Sequence, residues 1–377
     1  MARFIDNDAR PPPHTLANPL QRIDSLDGFR AVAITAVLGF HIPVMWPQIP
    51  WTIDPMREGG FIGVDMFFVL SGFLITSLLI REHSDTGTVN FRRFFLRRSA
   101  RLIPPLLLCI VVSFGFAIRF EEDTRIFLST AILSIFYVFN WGVVFDLKRS
   151  FQIGHLWSLS LEEQFYSTIA IVVYLYRRLI KTLSLQKFVV LTSLLIISWS
   201  IIAKIYILRT GDVGASWVNL YFRTDLRADT FFVGSLTAVY RQNHSEKPAK
   251  LVGATFLPSV FLLVFYMITA NTDDAFNYRG GLTIVAIASA FVILAASYPG
   301  TLADKLLSSR PLKYIGLLSY SIYLIHMPVF NALSPNNSSI RYQSRLPIAF
   351  LVILVYSVAS YFLLEKPLTK LRKKFLN

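Results

Sequence analysis

Three of the six histidines lie in or beside long apolar segments, where an ionisable side chain is costly and marks a candidate functional site. His41 and His326 fall inside such segments, and His155 directly precedes a third. Imidazole exchanges a proton near neutral pH, so these residues are candidates for general acid–base chemistry. The plainer alternative is a hydrogen-bonded histidine that packs between two helices.

Two spacings indicate how these histidines could act. Arg30 and His41 are eleven residues apart, which places them on one helix face about 16 Å from each other. A cation at one end of a face and a base at the other suits an elongated anionic molecule, although Arg30 could simply anchor the helix at the membrane interface. His155 and Glu162 are seven residues apart, so Glu162 could orient the imidazole.

Further polar residues fall near those ends of the apolar segments where the three histidines lie. We expect these residues to line a cavity together with the histidines. For the charged members, local capping or salt bridging is the alternative. The expected cavity-lining residues are Asp65, His155, Trp157, Arg227, Asp229 and Tyr323.

A basic run at 92–101 precedes one apolar segment, and Arg98 and Arg101 belong to it. Such a run orients a membrane helix and contacts anionic lipid, and arginine also suits the phosphate groups of a cytosolic ligand. Ser71 and Gly72 interrupt another apolar segment, which favours either close helix packing or close approach of a ligand to the backbone.

The composition determines what kind of protein must position these groups. Of 377 residues, 54% are hydrophobic and only 16% are charged, against about 25% in an ordinary soluble domain. This excludes a soluble enzyme, a disordered chain and a disulfide scaffold, and it predicts an all-α polytopic membrane protein. The net charge of +14 then indicates membrane orientation rather than nucleic-acid binding. The single cysteine, Cys109, excludes an intrachain disulfide, and we predict no metal site.

The distribution of Lys and Arg predicts ten spans with both termini in the cytoplasm. If the segment 126–146 does not cross, 25 of the 37 basic residues lie inside, whereas crossing there would divide them almost evenly. We therefore expect a cytoplasmic tail at 1–26, a transmembrane domain at 27–365 and a basic cytoplasmic tail at 366–377. The predicted spans are 28–47, 61–80, 102–118, 157–176, 188–208, 226–240, 251–270, 281–298, 312–333 and 346–364.

Taken together in order and spacing, several motifs resemble the membrane-bound acyltransferase family 3, of the O-antigen and exopolysaccharide O-acetyltransferase type. The resemblance covers roughly 22–367. The motifs are RIDSLDGFRA at 22–31 with His41, GVDMFFVLSGFL at 63–74, the basic residues Arg98 and Arg101 with Pro104, LWSLSLEEQFY at 156–166, RADTFFVG at 227–234, YSIYLIH at 320–326 and EKP at 365–367.

The resemblance implies a ten-helix domain that transfers an acyl group, usually acetyl, from acyl-CoA to a hydroxyl of a carbohydrate or glycolipid. His41 would be the general base, with Glu162 and His326 as further catalytic candidates. The expected donor-binding residues are Arg30, Ser71, Arg98 and Arg101. Acyl-CoA would be a co-substrate with no bound cofactor, and the location would be the bacterial inner membrane. The chain resembles the stand-alone type that has no periplasmic esterase-like domain.

Two other classes stay open from the residues alone. Ten spans with intramembrane charges also suit a transporter or flippase of a glycolipid or anionic metabolite, although the two-fold repeat common in transporters is not visible. A structural subunit of a polysaccharide synthesis complex is the other class.

Overall fold

The computed structural model describes residues 23–180, 182–210, 213–244 and 250–368, and all regular secondary structure in these residues is helical. Short 3-10 turns precede α2 and α6, and π-helical turns precede α11 and follow α14. The helices are α1 (Asp24–Met45), α2 (Ile62–Thr86), α3 (Phe91–Arg119), α4 (Thr124–Ile135), α5 (Phe139–Val144), α6 (Trp157–Leu179), α7 (Leu185–Thr210), α8 (Val213–Phe222), α9 (Thr224–Asn243), α10 (Lys250–Thr269), α11 (Leu282–Ala296), α12 (Leu302–Leu307), α13 (Arg310–Ala332) and α14 (Tyr342–Ser360).

Eight helical segments in the described part of the chain are long and apolar enough to cross a membrane. They are built on α1, α2, α3, α7, α10, α11, α13 and α14. The helices α6 and α9 are of comparable length, with 23 and 20 residues, but carry more polar side chains. The chain is therefore an all-α, multi-pass integral membrane protein, and these ten long helices correspond in position to the ten predicted spans.

The long helices form an inner and an outer layer. In α1, α2, α11 and α13, between 61% and 72% of the most apolar stretch is buried, against 22% to 33% in α3, α7, α10 and α14. An apolar helix that leaves most of its surface exposed is stable only against lipid, so the second group forms the lipid-facing ring. The core of the protein lies among the first group together with α9.

The segment 126–146 forms no single spanning helix, as the charge count predicts. The helix α4 has 12 residues and is about 18 Å long, which is short of the roughly 30 Å of a hydrocarbon core. The chain then turns at Tyr137, which has a positive φ, and continues as the six-residue α5.

Consecutive long helices alternate in direction, so the connections lie at two faces of the bundle. We call the face at which α1 ends the upper face and the face at which it begins the lower face. The backbone at Gly59, just before α2, touches the carbonyls of Tyr266 and Met267 at the end of α10, which places both elements at the upper face.

The crossing of α2 and α9 is close enough to require glycine on both helices. A Cβ atom on Gly234 of α9 would lie 2.1 Å from the Val69 carbonyl oxygen of α2, and one on Gly72 of α2 would lie 2.0 Å from the Phe231 carbonyl oxygen. Such small residues let the two backbones touch. The predicted Ser71–Gly72 feature is thus explained by packing, and α2 continues through it.

The helix α3 is longer than the predicted span 102–118 that it contains. It begins eleven residues earlier, at Phe91, because the basic run is also helical, and the Asn90 side chain caps it. Arginine is a good helix former, so positive charge marks no helix end. The short helices α8 and α12 were not predicted. Of the predicted tails, residues 1–22 and 369–377 lie outside the described residues.

Candidate active site

Three histidines from three separate elements meet near the upper face. The ring of His326 lies 5.0 Å from that of His41 and 4.8 Å from that of His155, measured between centroids. His41 comes from the last third of α1, His326 from the last third of α13, and His155 from the 3-10 turn before α6. We call these three residues the histidine cluster. The predicted common depth of these residues is thus also a common location.

Backbone carbonyls determine which nitrogen of each ring carries hydrogen. His41 Nδ1 lies 2.8 Å from the Val37 oxygen, and His326 Nδ1 lies 2.6 Å from the Tyr323 oxygen. A carbonyl oxygen only accepts, so in both rings Nδ1–H is the donor. In the neutral imidazole the other nitrogen, Nε2, then carries a lone pair and can accept a proton.

His155 has the opposite tautomer. Its Nε2 lies 3.1 Å from the Leu324 oxygen, so Nε2–H donates and Nδ1 carries the lone pair. Both His155 Nδ1 and His326 Nε2 are buried and have no hydrogen-bond partner. The cluster therefore holds three imidazoles whose second nitrogens are acceptors.

The three rings differ in accessibility. His326 and His155 are buried, with 0% and 5% of their surface exposed, whereas His41 is partly exposed. His41 is therefore the most exposed ring of the cluster, and the other two histidines lie behind it. No group of three or more His, Cys, Asp or Glu side chains among the described residues is arranged to hold a metal ion.

Tyr323 holds the cluster to the start of α6. Its hydroxyl donates to the His155 carbonyl oxygen at 2.5 Å, so the Ser158 hydroxyl, 2.6 Å away, must donate to Tyr323. The ring of Trp157 packs on that of Tyr221 at 5.1 Å. Tyr323 is thus in contact with the cluster, whereas Trp157, two residues after His155, packs against Phe68, Tyr221 and Phe222; both side chains are buried, and their cavity-lining role stays a prediction.

A second polar group, which we call the arginine–glutamate cluster, joins α3 to α6. The Nε of Arg98 donates to Glu163 at 2.9 Å, and the Arg98 guanidinium lies 3.1 Å from the centre of the Tyr166 ring. Tyr166 donates to Glu162 at 2.5 Å and lies 3.1 Å from the Ser71 hydroxyl. Two carboxylates around one guanidinium hold these helices together and leave Arg98 partly exposed.

The structure contradicts one predicted contact. Glu162 does not orient His155, because its contacts are with Tyr166 and Arg98. The helix α6 begins at Trp157 and His155 lies in the turn before it, so a spacing of seven does not place the two residues on one face. The imidazole is oriented by a backbone carbonyl instead.

The other predicted donor-binding arginines lie toward the lower face. Arg30 Nη1 forms an ion pair with the buried carboxylate of Asp27 at 2.5 Å, one turn earlier in α1, and remains 20% exposed. Arg101 is exposed on α3. Because α1 is a continuous helix from Asp24 to Met45, the predicted separation of about 16 Å between Arg30 and His41 holds along its axis.

Asp65, Arg227 and Asp229 belong to a third group, the ion-pair layer. Arg227 donates to Asp65 at 2.5 Å, and Lys204 donates to Asp229 at 2.7 Å. All four side chains are at most 5% exposed. Thr283 of α11 also donates to Asp229. These contacts join α2, α7, α9 and α11. Asp65 and Arg227 pair with each other and Asp229 pairs with Lys204, while Asp65 Oδ2, Asp229 Oδ1 and two nitrogens of Arg227 have no hydrogen-bond partner.

Lys204, Ser158 and Glu163 were not predicted as site residues, whereas the sequence carries one further signal for two residues that were. His41 and His326 are each followed two residues later by proline, at Pro43 and Pro328. Proline has no N–H and leaves the carbonyl four residues earlier without its helical partner, here at Gly39 and Leu324. The histidine–X–proline pattern thus occurs once in α1 and once in α13, and it marks the depth at which the two histidines lie in these helices. Lys204, Ser158 and Glu163 carry no comparable signal.

The fold and these motifs define a family. The acyltransferase domain of membrane acyltransferase family 3 matches residues 23–366, so this chain belongs to that family. No solved structure matches the chain significantly.

Curated relatives give the same family. The chain is 32% identical over 366 residues to O-acetyltransferase OatA of Staphylococcus aureus, which covers 92% of this chain and 57% of the relative. It is 33% identical over 329 residues to peptidoglycan O-acetyltransferase OatA of Listeria monocytogenes, which covers 83% of this chain and 50% of the relative. The chain thus spans little more than half the length of these relatives.

Proposed function

We propose that this chain is a membrane O-acetyltransferase of the bacterial plasma membrane, which moves an acetyl group from acetyl-CoA to a hydroxyl of a cell-surface glycan. One observation carries the proposal: His41 is a partly exposed imidazole whose Nδ1–H is bonded to a carbonyl, so its Nε2 is free to accept a proton. Family membership supports the reaction class, and the name of the Listeria relative supports a glycan acceptor.

The proposed chemistry is a balanced acyl transfer. His41 Nε2 removes the proton from the acceptor hydroxyl as its oxygen attacks the thioester carbonyl. The C–S bond of the tetrahedral intermediate then breaks, and the CoA thiolate takes the proton from the His41 imidazolium. The products are the O-acetyl ester and free CoA, and the histidine returns to its starting tautomer.

The donor is proposed to reach His41 from the lower face, which would be cytoplasmic. Arg98 and Arg101 of α3 and Arg30 of α1 would hold the phosphates of CoA, because guanidinium groups pair with phosphate oxygens. The axial distance of about 16 Å from Arg30 to His41 suits an extended pantetheine arm. Ser71, near the middle of α2, is hydrogen-bonded to Tyr166 of the arginine–glutamate cluster and would line this path.

The acceptor is proposed to approach from the upper face. His155 and Tyr323 lie there around His326, which contacts the His41 ring, and Trp157 begins α6 two residues after His155. An aromatic ring offers a sugar an apolar face to stack on. Glu162 and His326 would act from behind: Glu162 by holding Tyr166 and Arg98, and His326 by contact with the His41 ring. Asp65, Arg227 and Asp229 would fix the helices that carry these groups.

The test uses the full chain in nanodiscs with radiolabelled acetyl-CoA and a cell-wall glycan extract. The variant is His41→Ala, and the matched control is His244→Ala. His244 makes the same hydrogen bond from Nδ1 to the carbonyl four residues earlier, but it is exposed at the lower end of α9. We expect labelled glycan and free CoA from the wild type and from His244→Ala, and neither from His41→Ala.

Two outcomes would refute parts of the proposal. Equal labelling by His41→Ala would exclude His41 as the base. Movement of intact glycan across the membrane of proteoliposomes, with no acceptor-stimulated CoA release over a range of acyl donors, would support a flippase instead.

A further inference from the structure

Pro328 lies in the interior of α13, two residues after His326, and is buried. Proline has no N–H to donate and its ring pushes against the carbonyl four residues earlier, so the Leu324 oxygen lacks its helical partner. That oxygen instead accepts from two side chains of other elements. The Nε2–H of His155 and the S–H of Cys109 each lie 3.1 Å from it.

The Leu324 carbonyl, which Pro328 leaves without a helical partner, thereby selects the tautomer of His155. A carbonyl oxygen has two lone pairs, and the two side-chain donors use both of them. With Nε2–H committed to Leu324, the buried Nδ1 of His155 has only a lone pair, and it has no hydrogen-bond partner. This ring is in contact with that of His326, whose buried Nε2 is likewise an unpartnered acceptor.

We propose that Pro328 is a positioning residue that holds His155 in its Nε2–H tautomer through the freed Leu324 carbonyl. The inference rests on the proposed function, because the tautomer matters to catalysis only if His41 takes a proton. With all three second nitrogens as acceptors, no donor inside the cluster competes for the lone pairs that stabilise the imidazolium formed on His41. An Nδ1–H tautomer of His155 would introduce such a donor.

The change Pro328→Ala restores a backbone N–H, which takes the Leu324 carbonyl into the helical hydrogen-bond pattern. His155 then loses the acceptor that selects its tautomer, and both tautomers become populated. The expected result is a fall in kcat by the same factor as the fall in the Nε2–H population of His155, up to about tenfold for one hydrogen bond. The KM for acetyl-CoA should stay within twofold, because the proposed phosphate contacts are on other helices.

The experiment follows the tautomer directly by solid-state NMR of the full chain, labelled with 15N-histidine and reconstituted in liposomes. His155→Gln identifies the His155 signals. The matched control is Pro258→Ala, the same change in the interior of α10 at an exposed, lipid-facing position. A second control, Cys109→Ala, removes the other donor to the same carbonyl and should leave the tautomer of His155 unchanged.

We expect Nε2–H for His155 in the wild type and in both controls, and a mixture of tautomers in Pro328→Ala. An Nδ1–H signal in the wild type overturns the proposal whether or not the variant folds. A pure Nε2–H signal in Pro328→Ala, with kcat within twofold of that of Pro258→Ala, also overturns it. The NMR result needs no turnover, so failure of the proposed acetyl transfer is distinguishable from failure of this inference.

Discussion

The histidine cluster and the ion-pair layer are both polar groups inside an apolar bundle, yet they are built in opposite ways. The ion-pair layer holds two acids and two bases, each engaged with an opposite charge within 2.7 Å. The histidine cluster holds three imidazoles that each use one nitrogen on a backbone carbonyl. Its second nitrogens are left as acceptors, in buried surroundings for His155 and His326.

The difference separates polar groups that hold helices from polar groups that can react. A matched pair of buried charges is stable only while both partners remain, so it fixes the position of the helices that carry it. A neutral imidazole can gain a proton without leaving another charge unpaired. An ionisable residue in a membrane helix is thus a candidate for proton transfer when no opposite charge fixes its protonation state.

The largest expected effect tests the reactive side of this comparison. In His41→Gln the amide retains a donor for the Val37 carbonyl but cannot take a proton. We expect kcat to fall by about 10³-fold, within the usual contribution of a general base, with the thermal unfolding midpoint nearly unchanged. Acetyl-CoA turnover and unfolding in the same detergent check this. Full activity in His41→Gln would show that His41 takes no proton in the reaction. The histidine cluster would then no longer differ from the ion-pair layer in reactivity.

The next prediction tests the structural side. Arg227→Met leaves the Asp65 carboxylate buried and unpaired, and we expect it to lower the free energy of unfolding by about 3 kcal/mol. The double variant Asp65→Leu with Arg227→Met should recover most of that loss. A double-mutant cycle measured by unfolding in detergent provides the check. A double variant as unstable as the single one would mean that the pair does more than neutralise charge.

Asp54 is a buried acid without an ion-pair partner, and it can be compared with the paired acids of the ion-pair layer. Asp54 lies in the loop between α1 and α2, is 4% exposed, and has an unpartnered Oδ2. Burial raises its pKa to about 6, against the opposing effects of the Met56 backbone N–H and of Arg57. Between pH 4 and 6 the Asp54 carboxyl group is therefore protonated in the folded state, whereas it has already lost its proton in the unfolded state.

Stability should accordingly fall as the pH rises through that window and should stay constant above it. We expect a loss of about 2 kcal/mol in the wild type, which Asp54→Asn should abolish. The measurement is the unfolding midpoint from pH 4 to pH 7.5. A wild-type profile that rises with pH would show that Asp54 is paired when folded.

The smallest effect concerns the contact beneath the ion-pair layer. Gly234→Ala places a methyl group against the Val69 carbonyl and should separate α9 from α2, at a cost of about 1 kcal/mol. Gly115→Ala is the control, because a Cβ there meets nothing within 4 Å. Equal unfolding midpoints for the two variants would show that the α2–α9 crossing adjusts freely.

Much of the fold could be predicted because composition and charge act along the whole chain. The positions of the ten long helices and the interruption at 126–146 follow from apolar length and from the distribution of Lys and Arg. The level shared by His41 and His326 follows from the helical rise. The helical basic run before Leu102 could not be predicted in this way, since hydropathy marks the lipid core and says nothing of helix outside it.

The contacts within the site depend on the rotation and packing of helices, which spacing along one helix does not determine. The Glu162–His155 expectation failed because it assumed that a single helix contains both residues. The pairing of Lys204 with Asp229 joins helices whose relative rotation depends on every other contact between them. The tautomer of His155 depends on a carbonyl in α13, 169 residues further along the chain.

The Asp65–Arg227 pair also has a consequence for how the protein is made. The two residues are separated by 162 positions, and a ribosome adds about 5–20 residues each second, so Arg227 is synthesised roughly 10–30 s after Asp65. During that interval α2 carries a carboxylate into the bilayer before its cation exists. Until α9 arrives, Asp65 avoids the cost of a lone buried charge only by taking up a proton or by staying at the membrane interface, since it lies in the first turn of α2.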